Sequence, residues 1–396
     1  MVNNREKEFA GNNPMKIGVV SHMFPSIQQP VFGSFVRNEL DCLSKHVDIR
    51  LIAPVPLRHW FKNMELPQGI EYPVKRPRTV SFPRFFMQRL YPRSMAVTLR
   101  KSAGNFFEDC DIIHAHNAFP DAVAAEKAFG GKFPIVVTVH GSDINMFAEK
   151  PNLRPDIVRA LNKAECVICV SESLRKKLLE MGVRTNCEVI PNGVDTDLFA
   201  PGNRTEACGL LEFEPERPRI LFVGNFVKVK GIEYLIRAMP TVLIKYPDCE
   251  LVLLGAEPGS NTVKEYRTLI ESAGISDSVR IEPRIPHGEL SKRMHASDIL
   301  VLPSLSEGFG LVAAEALACG IPVVATRCGG PESIVSDGLG FLVPPCDHEA
   351  LGDGILRALD GSGLLNSAAM ADSIHERFSL NTVTGRILEV YNRIGK

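Results

Sequence analysis

Two glutamates, Glu307 and Glu315, bracket the turn Gly308-Phe309-Gly310 in the stretch LPSLSEGFGLVAAEALACG. Carboxylates hold hydroxyl groups through paired hydrogen bonds, and a glycine turn lets backbone N–H groups come close to an anion. Glu315 falls in an Ala- and Leu-rich helical stretch. An ionised side chain is costly to bury there unless a hydroxyl or a cation meets it. Read as pure architecture, the pair would be a helix cap and a solvated face, which suits Glu315 poorly. Upstream, RILFVGN runs into Phe226-Val-Lys228-Val-Lys230-Gly231 and then into the helical pattern IEYLIRAM. Gly224 at the strand end, lysines in the loop and a helix N-terminus after them make a site for phosphate, with Lys230 as the point charge. The plainer alternative is an ordinary surface loop.

In the first half of the chain, His140 follows the apolar run PIVVTV and opens His140-Gly141-Ser142-Asp143. A histidine at the carboxyl end of a parallel strand projects toward the ligand side of the sheet, which favours function over packing. His114 and His116 end the preceding apolar run. With no third carboxylate or histidine in evident register, they are not expected to bind a metal ion. Asp195-Thr196-Asp197 has the D-x-D form of metal-dependent sugar transferases, but it follows a Pro-Asn-Gly turn and is discounted. Cys166-Val-Ile-Cys169 lies within a strand-like run and reads as packing rather than as a metal or redox motif.

These residues need strands to end at them. From Met15 onward short β-branched runs (MKIGVVSH, VDIRLIAP, DIIHAH, PIVVTVH, CVICVS, CEVIPN) alternate with helical patterns such as GSFVRNELDCLSKH and SESLRKKLLEMG. A polar, Pro-rich stretch over 192–219 follows, and the alternation restarts with RILFVGN, CELVLLG, VRIEP, DILVLPS, IPVVAT and GFLVP. Strands alternating with helices specify βαβ units and parallel sheets. The expected fold class is α/β, with two facing Rossmann-like parallel-sheet domains. The expected divisions are a disordered lead-in at 1–14, a first domain at 15–198, a second at 199–375 and a terminal helix at 376–396. No G-x-G-x-x-G follows any strand, which weakens a nicotinamide or flavin reading.

Composition narrows the class further. The chain has 396 residues with 45 Lys plus Arg against 46 Asp plus Glu, a balance that argues against nucleic-acid binding through the whole surface. Its ten cysteines are scattered, mostly within apolar runs, and are expected to be reduced. No apolar run approaches the roughly 20 residues a membrane span requires, and the N-terminal residues lack the apolar core of a signal peptide. The expected location is cytoplasmic. Over 72–107, Lys75, Arg76, Arg78, Arg84, Arg89, Arg93, Arg100 and Lys101 are interleaved with Phe82, Phe85, Phe86, Met87, Leu90 and Tyr91, with no acid among them. Such a surface fits an anionic membrane or a lipid-linked pyrophosphate, although a solvated face balanced by acids elsewhere would look the same.

The ordered set His140-Gly-Ser-Asp143, Pro191-Asn-Gly-Val-Asp195, Val223-Gly224 with Lys230-Gly231, Glu307-x7-Glu315 and Gly329-Gly-Pro-Glu332 resembles family 4 of the retaining, nucleotide-sugar-dependent glycosyltransferases. The resemblance runs from about Met15 to Lys396. It implies the GT-B architecture, with the donor held mainly by the second domain, the acceptor by the first, and the C-terminal helix crossing back to the first. It further implies that Lys230 meets the donor's distal phosphate, that Glu307 and the backbone of Phe309, Gly310, Leu311 and Val312 hold the sugar, and that Glu315 grips the ribose. Gly33 would let the pyrophosphate approach, His140 would touch the sugar beside the reacting carbon, and Asp143 would orient His140 or the acceptor. Many members carry Arg after the strand-end glycine where this chain has Asn225, with Lys228 as a substitute cation.

The expected function is therefore transfer of a sugar from a nucleoside diphosphate, UDP before GDP, to a hydroxyl of a glycan or polyprenyl-linked acceptor. The departing diphosphate would be stabilised by Lys230, N–H groups and a helix end, with no metal ion or cofactor required. Cell-surface polysaccharide assembly on the inner face of the plasma membrane is the expected setting. The alternatives are a nucleotide-sugar epimerase of the same architecture and a non-catalytic sugar-nucleotide binding protein.

Overall fold

The computed structural model describes residues 14–57, 65–81, 85–361 and 363–395, so the expected lead-in lies, but for Pro14, outside the described residues. The chain forms two compact units. One comprises Met1–Cys169, Arg175–Ile190 and Thr384–Lys396, the other Val170–Leu174 and Pro191–Val383.

The first unit is built on strands β1 (Lys16–Val20), β2 (Asp48–Ile52), β3 (Val55–Pro56), β4 (Val74–Lys75), β5 (Arg78–Thr79), β6 (Ile112–His116), β7 (Ile135–Val139), β8 (Cys166–Cys169) and β9 (Cys187–Val189). Seven of them form one sheet in the order β4-β2-β1-β6-β7-β8-β9, and β3 pairs with β5 apart from it. Pairing is parallel throughout, with Ile17 opposite both Ile49 and Ile112. Every residue of β6 and β7 is buried, as a sheet covered on both faces requires. The two-residue strands β3, β4 and β5 are too short to leave a periodic pattern in the sequence.

Between β1 and β2 lies the helix Ser34–Leu43, entered through Gly33 at φ 75°. A Cβ on Gly33 would stand 2.5 Å from the Met23 carbonyl, so glycine is needed both for the backbone angle and for the close approach. The buried stripe of this helix is Val36, Glu39, Leu40 and Leu43. Phe35 turns instead toward His140, with ring centroids 4.7 Å apart.

The second unit carries β10 (Arg219–Val223), β11 (Glu250–Ala256), β12 (Val279–Pro283), β13 (Ile299–Leu302), β14 (Val323–Thr326) and β15 (Gly340–Val343). Their order is β12-β11-β10-β13-β14-β15, again wholly parallel. Ile220, Phe222, Leu251, Leu253, Ile299 and Val301 pack with Leu235, Ile236 and Met239 in its core. The polar, Pro-rich stretch over 192–219 carries a helix of its own. Asn203 caps the helix Arg204–Leu211, accepting the Glu206 N–H at 3.0 Å, and Ala207 and Cys208 are buried with Phe213 and Ala296.

The division between units falls at Ile190, before the 198 expected from composition. The chain beyond Pro191 is already tied into the second unit: Val194 N–H donates to the Phe378 carbonyl at 2.7 Å, and Leu380 N–H donates to the Val194 carbonyl at 3.0 Å. The tail is two helices, Ser367–Phe378 and Leu380–Ile394, broken at Ser379 with ψ 148°. From Thr384 onward it belongs to the first unit, where Arg386 donates to the Val189 carbonyl and Arg393 pairs with Glu188 at 2.5 Å.

Candidate active site

In the second unit the strand order turns at β10: β11 and β12 are added on one side, and β13, β14 and β15 on the other. Ligands of open α/β sheets sit at such a switch point, outside the carboxyl ends of the strands. The loops after β10 and β13 bring together the residues marked from sequence. Lys230 Nζ donates to Glu307 Oε1 at 2.5 Å, and Ser304 Oγ donates to the same oxygen at 2.6 Å. Thr326, the last residue of β14, donates its hydroxyl to the Ser304 carbonyl. Glu307 is nearly buried, with 11% of its side chain exposed against 24% for Lys230.

The two loops are stitched together by Leu305 N–H donating to the Val229 carbonyl at 2.8 Å. Gly231 sits at φ 63°, and a Cβ there would lie 2.0 Å from the Pro303 carbonyl oxygen. It caps the helix Ile232–Lys245, whose first N–H groups face the loop. The Lys230 stem passes over Gly224, its Cδ 3.8 Å from where a Cβ would stand. Asn225 and Lys228 are both exposed, so Lys228 is not drawn in beside Lys230 as a second cation.

Gly310, at φ 94°, starts the helix Leu311–Ala318. The first bond within that turn is Ala313 N–H to the Gly310 carbonyl at 2.8 Å, so the N–H groups of Leu311 and Val312 precede it. Phe309 is buried against Phe378, with centroids 5.6 Å apart, which fixes the turn from below. Glu315 is 4% exposed and lies just over one turn into the helix. Its cost of burial is met by a residue that sequence reading missed, because His287 Nε2 lies 2.7 Å from Glu315 Oε1. Burial pulls the His287 imidazole down, but the Glu315 carboxylate, helped by Asp195, raises it above its ordinary value. The signal in the sequence was the turn Pro286-His287-Gly288 following β12.

In the first unit, His140 follows β7 and His116 ends β6, with 3.3 Å between His140 Nε2 and His116 Nδ1. Asp143 clamps the loop: Oδ1 accepts N–H groups of His140 at 3.2 Å, Gly141 at 2.8 Å and Ile144 at 3.1 Å, and Oδ2 accepts that of Ala118 at 2.7 Å. Burial pushes its carboxyl above the usual range against the pull of these donors. Asp143 thus orients the His140 backbone and is 1% exposed. At the end of β1 is an imidazole the sequence reading passed over. His22 bonds through both its backbone N–H, at 2.8 Å, and Nδ1 to the carboxylate of Asp121, a residue with no exposed surface.

The histidines at 114 and 116 do have a carboxylate in register, contrary to expectation. Glu39 reaches them from the helix Ser34–Leu43, and one ligating atom from each of the three lies within 4.8 Å of the others. The acid stands in the helix's apolar stripe, which was the signal. Both ring nitrogens of His114 are taken, Nδ1 by the Tyr391 hydroxyl at 2.6 Å and Nε2 by the Thr138 hydroxyl at 2.8 Å. That leaves Glu39 and His116 as the remaining donors, a poor set for a metal ion.

Several features resolve into architecture. Asp195 Oδ1 accepts the N–H groups of Asp197 and Leu198, an Asx turn. Cys166 and Cys169 are buried free thiols of β8. The basic stretch is partly consumed: Lys75 donates to the Ser102 carbonyl, Arg76 to that of Pro25 and Arg100 to that of Lys127, while Arg89 pairs with Asp156 at 2.8 Å. Arg84 and the side chains of Phe82, Phe85, Phe86 and Met87 lie outside the described residues. Arg93, Val97, Arg100 and Lys101 share the exposed face of the helix Tyr91–Ala103. Among the described residues no helix is long and apolar enough to cross a membrane. A depression of about 490 Å³ at the amino ends of β10, β13 and β14, lined by Pro218, Asp298 and Gly320, lies at the wrong end of the sheet for a switch-point ligand.

Two parallel α/β sheets with ligand-side loops of this kind are those of the GT-B architecture. The family model for glycosyltransferase family 4 matches residues 34–198 and that for glycosyl transferases group 1 matches 209–373, and the chain belongs to this family. It is similar to the D-inositol 3-phosphate glycosyltransferase of Mycobacterium marinum, 31% identical over 315 residues, 75% of this chain and 66% of that protein. The chain therefore spans about two thirds of that relative's length. A Bacillus subtilis protein provisionally named teichuronic acid biosynthesis glycosyltransferase TuaC is 27% identical over 362 residues, 87% of this chain and 89% of its own. The fold is shared with Anabaena HepE, solved in complex with UDP, at a TM-score of 0.74 and 21% identity over 96% of this chain and 100% of that one. The protein is a glycosyltransferase.

Proposed function

We propose that this glycosyltransferase uses a UDP-sugar, holds its diphosphate in the second unit, and transfers the sugar with retention to a hydroxyl of a glycan or lipid-linked acceptor. The observation that carries the reading is the Lys230–Glu307–Ser304 cluster at the switch point, between two helix N-termini each introduced by a left-handed glycine. An ammonium has three donors. Lys230 keeps one on Glu307 and offers the others to phosphate oxygens, while the N–H groups of Leu311 and Val312 add fixed dipoles. Charge grows on the diphosphate as the bond to the sugar breaks, and preorganised donors stabilise it most at that moment. Glu307 and Glu315 both belong to one loop-and-helix segment, unlike the facing carboxylates of glycosidases. Retention then follows from front-face departure, with a leaving phosphate oxygen taking the acceptor's proton as the new bond forms. The UDP complex of HepE supports the choice of nucleotide, and the TuaC relationship supports a cell-surface polysaccharide setting. The exposed Arg93, Val97, Arg100 and Lys101 face would attach the first unit to an anionic leaflet.

The test is UDP release from a panel of UDP- and GDP-sugars in the presence of EDTA. Release is expected from at least one UDP-sugar, suppressed in His140→Ala and Lys230→Ala variants that keep the wild-type circular dichroism spectrum. Turnover surviving both substitutions places the site elsewhere. Turnover abolished by EDTA and restored by a divalent cation refutes the metal-free reading. Failure to float with phosphatidylglycerol vesicles at low salt removes the membrane attachment alone.

A further inference from the structure

His287 and Glu315 meet across the switch point of the second unit. His287 follows β12, on one side of β10, and Glu315 lies in the helix after β13, on the other. Glu315 is buried, and its Oε1 lies 2.7 Å from His287 Nε2. Its second oxygen is placed differently. Oε2 has no hydrogen-bond partner among the described residues, yet it is not one of their buried unpaired atoms, so the small surface that Glu315 keeps includes this oxygen. The imidazole is itself held in place, because its ring packs on that of the fully buried Phe199 with centroids 5.1 Å apart. The result is a carboxylate tied at one oxygen to a fixed partner and open at the other.

We propose that His287 is a positioning residue for nucleoside selection: it holds Glu315 so that the carboxylate accepts the ribose hydroxyls of the nucleotide, which makes the site prefer a ribonucleotide to its deoxy counterpart. The inference rests on the donor reading above. An acid beside a diphosphate site is repelled by the phosphates, so its partner in the ligand must be a hydrogen-bond donor. A uridine diphosphate offers the adjacent hydroxyls of its ribose and the single N–H of its base. The two oxygens of an ionised carboxylate have about four acceptor positions between them. His287 uses one on Oε1, which leaves its second lone pair and the open Oε2 for a neighbouring pair of hydroxyls. A lone ring N–H would leave most of that capacity unused.

The histidine matters because a glutamate side chain is otherwise free to turn. Ordering it on binding costs conformational entropy, and a partner that fixes it beforehand removes that cost from the ligand. If His287 served only to relieve the burial of Glu315, its loss would weaken every ligand of the crevice alike. If it aims the carboxylate at the ribose, the loss falls on ligands that carry both hydroxyls and spares those that do not.

The test is isothermal titration of the whole chain with UDP, with deoxyuridine diphosphate, which lacks one ribose hydroxyl, and with pyrophosphate. It is run on the wild type, His287→Gln and His287→Asn. The Gln amide N–H can donate to Glu315 as the imidazole does, whereas the Asn amide is one carbon shorter and falls short, and both suit a half-buried position. The wild type should bind UDP at least about tenfold more tightly than deoxyuridine diphosphate, the worth of one hydrogen bond to a charged group. His287→Gln should keep that ratio. In His287→Asn it should fall below about threefold, through weaker binding of UDP, as the carboxylate loses its anchor. Pyrophosphate, which has no ribose, should bind all three proteins alike. A ratio unchanged in His287→Asn, a ratio lost equally in His287→Gln, or pyrophosphate weakened as much as UDP in His287→Asn overturns the proposal. A wild type that binds UDP without preferring it also overturns the proposal and leaves the diphosphate reading intact. Failure of the wild type to bind UDP removes that reading and this proposal with it.

Discussion

Replacing Lys230 with methionine separates two things the ammonium does. Methionine keeps most of the apolar stem that crosses Gly224, so packing is nearly preserved. What disappears is the 2.5 Å bond to Glu307, leaving that carboxylate with Ser304 alone. The pair lies between the exposed and buried limits, where single-partner removal costs from under 1 to about 3–5 kcal/mol, so a loss of about 1–2 kcal/mol is expected. For a unit of this size that is a fall of about 3–6 °C in melting temperature. The effect on nucleotide binding should be larger. A charge-assisted hydrogen bond contributes about 1.5–3 kcal/mol, or roughly 10- to 150-fold in Kd. The unpaired Glu307 then also faces the diphosphate with like charge, which moves the value toward the upper end. Isothermal titration with UDP measures this, and uridine is the control. Uridine affinity should be unchanged, because it has no phosphate for the lysine to meet. A variant that melts lower but binds UDP within threefold of wild type refutes the reasoning, since Lys230 would then serve only to neutralise Glu307.

Two further predictions follow from the same loops. Gly231→Ala places a Cβ 2.0 Å from the Pro303 carbonyl at a φ of 63°. The left-handed angle alone costs about 1–2 kcal/mol, and with the clash the total should exceed about 3 kcal/mol, seen as a lower urea midpoint and loss of UDP binding. An alanine variant with unchanged midpoint would mean that the loop is not held against Pro303. His287 is raised above its ordinary value by Glu315, so its contribution to stability is complete below about pH 6.5 and is lost as pH rises through the higher folded-state value. Urea unfolding of the wild type should therefore weaken relative to His287→Gln between pH 6 and 9. Parallel pH curves would show that the imidazole is neutral throughout.

Much of this was legible beforehand because the chemistry sits where strands stop. Lys230, Glu307 and His140 each follow an uninterrupted β-branched run, and a run of that kind can be located without knowing its neighbours. Gly231 and Gly310 were legible as turns, although the partners that exclude a side chain at Gly231, above all the Pro303 carbonyl, come from a different loop. What stayed hidden depended on pairing at long sequence separation. The acid that completes the His114 and His116 cluster lies at position 39, and the imidazole that meets Glu315 lies across β13 at position 287. Neither spacing repeats, so no local pattern encodes it. The basic stretch over 72–107 was legible as charge but not in its pairing. Charge can be counted from sequence, but Asp156 and the carbonyls of Pro25, Ser102 and Lys127 that absorb part of it cannot.

The last thirteen residues, Thr384–Lys396, complete a unit whose other segments end at Ile190. During synthesis the chain emerges amino end first, and domains generally fold as units in that order. Here the first unit's sheet waits for the helix Leu380–Ile394, because the Tyr391 hydroxyl reaches His114 from 277 positions away and Arg386 and Arg393 close over β9. Until Thr384–Lys396 has emerged, the histidine-bearing strand and its neighbours remain uncapped, whereas nearly all of the second unit is already available. A ribosome-bound intermediate should thus complete the second unit's sheet before the first unit's, and a stop codon introduced at Thr384 would damage the first unit.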